Sequence, residues 1–321
     1  MQKVLISLLV LILVSCKKSS KNPVETFSYK TVQQQITTKE TQRILFTLAA
    51  DSMRGRDSKK GGYFKAAAFV TDYFKLNNIK PFYTEYRDSL VTDNLVSYNL
   101  VGQLGDYDPK RKTVLIGAHL DHIGIRGKEG DTIYNGANDN ATGSTAVLQV
   151  GKFLAQYQWK QNVLLALFAD EEKGLKGAQQ LAKRLRDENI DLAYMVNFEM
   201  IGKTLTTGAN QVYITGYNRS NMAEVMNIIT PNFVQFLPQA KELNLFQRSD
   251  NYSFFKQLNI PAQTLSSFDF QNYDYYHKPE DEAAKMDIEN MTQIIRTAAF
   301  TLAKMLENTI EIKLIDTSSI R

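Results

Sequence analysis

Thr113-Val114-Leu115-Ile116-Gly117-Ala118-His119-Leu120-Asp121-His122 is a short apolar run that passes directly into a polar one. Asn162 to Ala169, followed by Asp170-Glu171-Glu172, has the same form. An unbroken apolar run of this length reads as a strand buried on both faces, here ending at a functional edge. Between the two runs, Ser144 to Tyr157 carries Ala146, Val147, Val150, Phe153 and Leu154 at helical spacing. Working outward, Thr41 to Asp51 and Gly62 to Asn77 read as amphipathic helices and Asn94 to Leu104 as an alternating strand. Downstream come a helix (Gly177 to Asp187), two strands (Ala193 to Phe198 and Gln211 to Thr215) and two helices (Asn221 to Thr230 and Asp250 to Leu258). A strand (Ile260 to Leu265) and a long helix (Ile288 to Leu306) close the pattern. Strands alternating with helices predict an α/β fold: a mixed, mostly parallel central sheet flanked by helices on both faces. No repeat, low-complexity tract or linker divides residues 38–310, which read as one domain followed by a tail at 311–321.

Of the 321 residues, 43% are hydrophobic and 22% charged, ordinary globular values that exclude disordered and membrane-spanning classes. The net charge is only +4. Lys110-Arg111-Lys112 is too short for a nucleic-acid stripe and reads as a solvated turn before a strand, so no nucleic-acid partner is expected. Lys3 precedes the apolar run Val4 to Val14, too short to span a bilayer but suited to an export signal. Leu13-Val14-Ser15-Cys16 resembles the lipobox of bacterial lipoproteins. The expectation is a signal peptide over 1–16, a flexible tether over 17–37, and an exported chain held by acyl groups on Cys16 at a bacterial membrane, on its periplasmic or cell-surface side. Cys16 is the only cysteine, so neither an intrachain disulfide nor a thiolate metal ligand is available.

Three histidines and four acidic clusters carry the candidate chemistry. His119 stands at the end of a predicted strand, where open α/β sheets place their ligands. Asp121, two residues on, is placed to accept the second ring N–H of His119 and fix its tautomer. Asn135-Gly136-Ala137-Asn138-Asp139-Asn140-Ala141-Thr142-Gly143 opens a helix and by itself reads as a turn with Asp139 or Asn140 as a cap. Glu171 and Glu172 follow directly on an apolar strand, where crowded like charges need a reason; a metal ion supplies one. Glu199, in Asn197-Phe198-Glu199-Met200-Ile201-Gly202, also ends an apolar strand. His277 lies just before the final helix, in Tyr275-Tyr276-His277-Lys278-Pro279.

Taken in order, His119 and Asp121, Asp139, Glu171-Glu172 before Lys173-Gly174, Glu199, and His277 resemble the M28 metallopeptidase family. Arg248-Ser249-Asp250-Asn251 and the upstream Asp51-Ser52-Met53-Arg54-Gly55-Arg56 fit the same family, so the resemblance covers about 38–310. It implies two zinc ions bridged by Asp139, with His119 and Glu199 completing one and Glu172 and His277 the other. It further implies Glu171 as general base, Asp121 orienting His119, and a peptide substrate, most simply cleaved by an aminopeptidase. Two ions sharing a water would lower its pKa and polarise the substrate carbonyl. Glutaminyl-peptide cyclisation, carboxypeptidase activity and non-catalytic peptide binding are the alternatives. The carboxylate-rich donor set would also accept cobalt or manganese. Two positions depart from the family: Glu199 stands where aspartate is common, and Asn251 where many members have histidine. His122 has no part in the family scheme and is expected either at the pocket mouth or in a structural role. A free α-amino group would need spare acids such as Asp250. The loop Gly124 to Tyr134 and the stretch Gly202 to Ser249 are expected to shape specificity.

Overall fold

The computed structural model describes residues 27–58, 61–92 and 95–315. Its strands are β1 (Ile79–Pro81), β2 (Arg87–Thr92), β3 (Leu95–Leu104), β4 (Thr113–His119), β5 (Gly124–Ile125), β6 (Ile133–Tyr134), β7 (Asn162–Phe168), β8 (Leu192–Glu199), β9 (Val212–Ile214), β10 (Val234–Gln235) and β11 (Ala262–Ser266). One sheet runs β1-β3-β7-β4-β8-β11-β9-β10, with β2 also paired to β3, while β5 and β6 form a separate hairpin. The central strands β7, β4, β8 and β11 are parallel. β3 joins β7, and β9 joins β11, antiparallel. The helices are α1 (Tyr29–Gln35), α2 (Thr38–Leu48), α3 (Gly61–Leu76), α4 (Gly143–Leu154), α5 (Lys176–Asp187), α6 (Met222–Ile229), α7 (Pro238–Glu242), α8 (Asn251–Leu258) and α9 (Ile288–Glu307).

β4 and β7 are buried along their whole length, and their alternate residues serve opposite layers. Val114, Ile116, Val163, Leu165 and Leu167 share a core with α2, α3, α4 and α9. Leu115, Leu164, Ala166 and Phe168 share the other with α5 and α8. Each such side chain contributes roughly 1.5–3 kcal/mol by leaving water, and a strand between two cores needs apolar residues at every position. Helix starts follow their caps. Thr37 accepts from Glu40 N–H at 3.2 Å and Asp287 from Asn290 N–H at 3.1 Å, so α2 begins at Thr38 and α9 at Ile288.

The first helix corrects the tether expected over 17–37. Ser28 and Thr31 form a reciprocal cap on α1, and Val32 is buried. Tyr29 Oη lies 3.3 Å from Thr297 Oγ1 on α9. Two apolar residues in seven left no helical stripe to read; docking on α9 supplies the stability instead. At the other end Leu314 pairs with Ser220 as an antiparallel bridge, so the tail expected from 311 begins as packed chain. The expected signal peptide and Cys16 lie outside the described residues. Among the described residues no helix is long and apolar enough to cross a membrane.

Candidate metal centre

Parallel alignment of β4, β7 and β8 brings their carboxyl ends to one edge, so His119, the Glu171-Glu172 turn and Glu199 converge there. The loop opening α4 delivers Asp139, and the segment before α9 delivers His277. Side-chain amides lock these loops together. Asn140 Nδ2 donates to Phe198 O at 2.9 Å, and Asn140 Oδ1 accepts from Gly143 N–H at 2.9 Å and Met200 N–H at 3.1 Å. Asn138 Oδ1 accepts from Gly202 N–H at 2.9 Å. Asn140 thus does the capping, and Asp139 is left to face the site.

Asp139 divides its two oxygens between two donor sets. Oδ1 lies 3.2 Å from His119 Nε2, which is also 3.1 Å from Glu199 Oε1. Oδ2 lies 3.0 Å from His277 Nε2, and that nitrogen is 3.3 Å from Glu172 Oε2. His119 Nδ1 is 3.0 Å from the backbone carbonyl of Asp121. A carbonyl only accepts, so Nδ1 carries a proton and Nε2 is the ring atom turned to two carboxylates. Buried acceptors that face one another need a cation between them. The donor chemistry therefore fits zinc on both sides of Asp139.

Without an ion between them, protons on the imidazoles balance the carboxylates. Burial alone would depress His119, but Glu199, Glu171 and Asp139 hold it well above the usual imidazole range. His277 likewise is pushed up to about 10, against burial, by Asp139 and Glu172. Asp139 is held far below the carboxylate range despite burial because the His119 and His277 rings lie against it at 3.2 and 3.0 Å. Glu171 goes the other way. Burial pushes it well up against the pull of His119, and Asp250, Glu199 and Glu172 push it further. Asp250 is fully buried, and neither of its oxygens has a hydrogen-bond partner.

Asp121 differs from its expected role. Its carboxylate is 3.8 Å from His119 Nδ1, and the backbone carbonyl takes the ring N–H instead. The carboxylate accepts from Glu171 N–H at 3.1 Å, so one residue fixes both the imidazole and the Glu171 turn. His122 is not at the pocket mouth: it is 1% exposed, with Nδ1 2.8 Å from Glu172 Oε1. The extra methylene of Glu199 is accommodated by Ser249, whose Oγ donates to Glu199 Oε2 at 2.7 Å. Asn251 is a packing residue, donating to Phe246 O and Ala262 O at 3.2 Å each.

Three supports had no local signature. Arg56, fully buried, donates to the carbonyls of Leu48, Leu120, Asn135 and Gly136. Asp281 accepts from the Asn138 and Asp139 N–H groups at 2.8 and 3.1 Å. Asp170, below Glu171, accepts from Ser58 and Ser97 and pairs with Lys173. The pocket over the centre is lined by Met200, Tyr213, Leu245, Arg248, Phe270 and Tyr276. The stretch Gly202 to Ser249 thus contributes walls, whereas the Gly124 to Tyr134 loop is the β5–β6 hairpin, packed on the Asp51–Arg56 turn and not part of that lining.

A sheet of this order with imidazole and carboxylate donors at its parallel strand ends is the architecture of zinc exopeptidases. The profile of peptidase family M28 matches residues 99–302, more than half of the chain, and the chain belongs to that family. It is 34% identical over 100 residues to a probable zinc metalloprotease of Pyrenophora tritici-repentis, covering 31% of this chain and 23% of that protein. It is 28% identical over 183 residues to leucine aminopeptidase 2 of Trichophyton equinum, covering 54% of this chain and 34% of the relative. The matches thus span about a quarter to a third of those relatives' lengths. The fold is that of the Legionella pneumophila LapA aminopeptidase (TM-score 0.70, 18% identity, 96% of this chain and 80% of that one). It is also that of Porphyromonas gingivalis glutaminyl cyclase (TM-score 0.66, 12% identity, 84% and 99%).

Proposed function

We propose that the chain is a two-zinc exopeptidase, an aminopeptidase that removes residues from the free N-terminus of peptides. The observation that carries this reading is the division of Asp139 between two imidazole–carboxylate sets, with Glu171 beside them in the pocket wall. His119, Asp139 and Glu199 would hold one ion, and Asp139, Glu172 and His277 the other. Bound zinc supplies Lewis acidity, lowering the pKa of the attacking water and polarising the scissile carbonyl. Glu171 takes the proton of that water on its carboxylate and delivers it to the leaving amine nitrogen, a task its raised pKa suits. Asp121 holds the Glu171 backbone and the His119 tautomer in one hydrogen-bonded unit. Asp250 does not line the pocket and burial pushes its carboxyl well up, so the spare acid expected for the substrate's α-ammonium group is not supplied by it. Export and anchoring through Cys16 belong to the proposal on the lipobox alone.

Glutaminyl cyclisation is the second reading, supported by the shared fold; the complete His119–Glu199 set favours two ions and hydrolysis. The zinc-loaded chain is given peptides with free, acetylated and glutamine N-termini, and the products are read by mass spectrometry. The expected result is single-residue loss from free peptides only. Glu171→Gln should lower turnover by roughly 10²–10⁴-fold with zinc content unchanged. Ammonia loss without cleavage would mean a cyclase, and no product with zinc, cobalt or manganese would mean a binding protein.

A further inference from the structure

We propose that His122 is an additional ligand, through Nδ1, of the zinc ion held by Asp139 and Glu172; this deepens the two-zinc reading and rests on it. His122 Nδ1 approaches the same two carboxylates as His277, at 2.8 Å from Glu172 Oε1 and 3.8 Å from Asp139 Oδ2. The donor atoms of His122, Asp139 and Glu172 all lie within 4.8 Å of one another. The 2.8 Å approach has the length of a hydrogen bond, yet neither His122 Nδ1 nor Glu172 Oε1 makes one. Two polar atoms that are close but not aimed at each other are arranged about a third point, as ligands of one ion are.

A purely structural histidine would have at least one ring nitrogen satisfied. Here both ring nitrogens are buried without a hydrogen-bond partner, an arrangement costing roughly 1–3 kcal/mol per group. The ring is also held in place. His122 N–H donates to Arg56 O at 3.3 Å, and the imidazole fills the space that a Cβ on Gly136 would occupy. With His122 the Asp139–Glu172 ion has four protein donors, against three from His119, Asp139 and Glu199 for its neighbour. The four-donor ion is therefore the tighter one, and zinc binds in two distinguishable steps.

The test is competition of the metal-free full-length chain with a chromophoric chelator for zinc, together with zinc counted after dialysis and urea melting of the metal-free protein. Wild type should bind two ions of unequal affinity. His122→Leu should weaken the tighter step on the order of 100-fold or more and spare the other. His122→Asn, whose Oδ1 falls near the Nδ1 position, should recover part of that loss. Unchanged affinities in both variants would overturn the assignment, as would equal weakening of both steps with lowered metal-free stability. Fewer than two ions on the wild type would overturn the two-zinc reading itself.

Discussion

Replacing Arg56 by methionine keeps most of the side chain's length and removes its donors. Four buried carbonyls lose their partners: Leu48 and Leu120 at 2.8 Å, Asn135 at 2.6 Å and Gly136 at 2.7 Å. A hydrogen bond from a charged donor contributes roughly 1.5–3 kcal/mol. Against this stands the burial of the guanidinium, which pulls its pKa down to about 10 even though Asp281, Asp139, Asp121 and Glu172 draw it back up. That depression corresponds to on the order of 3 kcal/mol. Four such bonds less that cost leave roughly 3–9 kcal/mol, and a net loss near the low end, about 3–5 kcal/mol, is expected, similar to breaking a buried ion pair. The loss should appear as a lower urea midpoint with an unchanged slope. Three of the carbonyls released, Leu120, Asn135 and Gly136, belong to the segments that carry Asp121, His122 and Asp139, so zinc affinity should fall along with stability. Arg56→Lys, with one nitrogen instead of a fork, should restore less than half. A methionine variant within about 1 kcal/mol of wild type, with its zinc affinity intact, would refute the role given to Arg56.

Burial would raise the Asp170 carboxyl, but Ser58, Ser97 and Lys173 hold it below the usual range. A depressed folded pKa contributes stability that is complete above the unfolded value near 4 and is lost as pH falls through the folded one. Asp170→Asn should therefore be less stable than wild type at neutral pH, with the gap in denaturant midpoints closing below about pH 4; a gap constant with pH would refute this. Cells fed a radiolabelled fatty acid should label the wild-type chain and not Cys16→Ser, which should also run larger on gels because the apolar segment before residue 16 is not removed; equal labelling of both, or of neither, would exclude the lipid anchor on Cys16.

The sheet centre was legible in the sequence because β4 and β7 lie between two cores and are apolar at every position. The helices that cover them carry full stripes, although the helix read from Thr41 to Asp51 begins three residues earlier, at the Thr37 cap, and ends at Leu48. The site was legible as residue types in order, since metal and proton chemistry admits few side chains and parallel strands deliver their carboxyl ends to one edge. Short elements were mostly not: α1 has two apolar residues, β1 three residues and β10 two, too few for any period to show, although the strand read over Gln211 to Thr215 is β9. Nor was the division of labour within the site. That Asp121 serves His119 by its carbonyl and Glu171 by its carboxylate, that His122 is buried against Glu172, and that Arg56, Ser249 and Asp281 hold the ligand loops are contacts between distant parts of the chain. Local propensity and periodicity report only a residue's own neighbourhood; which carbonyl, carboxylate or imidazole it meets across the sheet is decided when the layers pack.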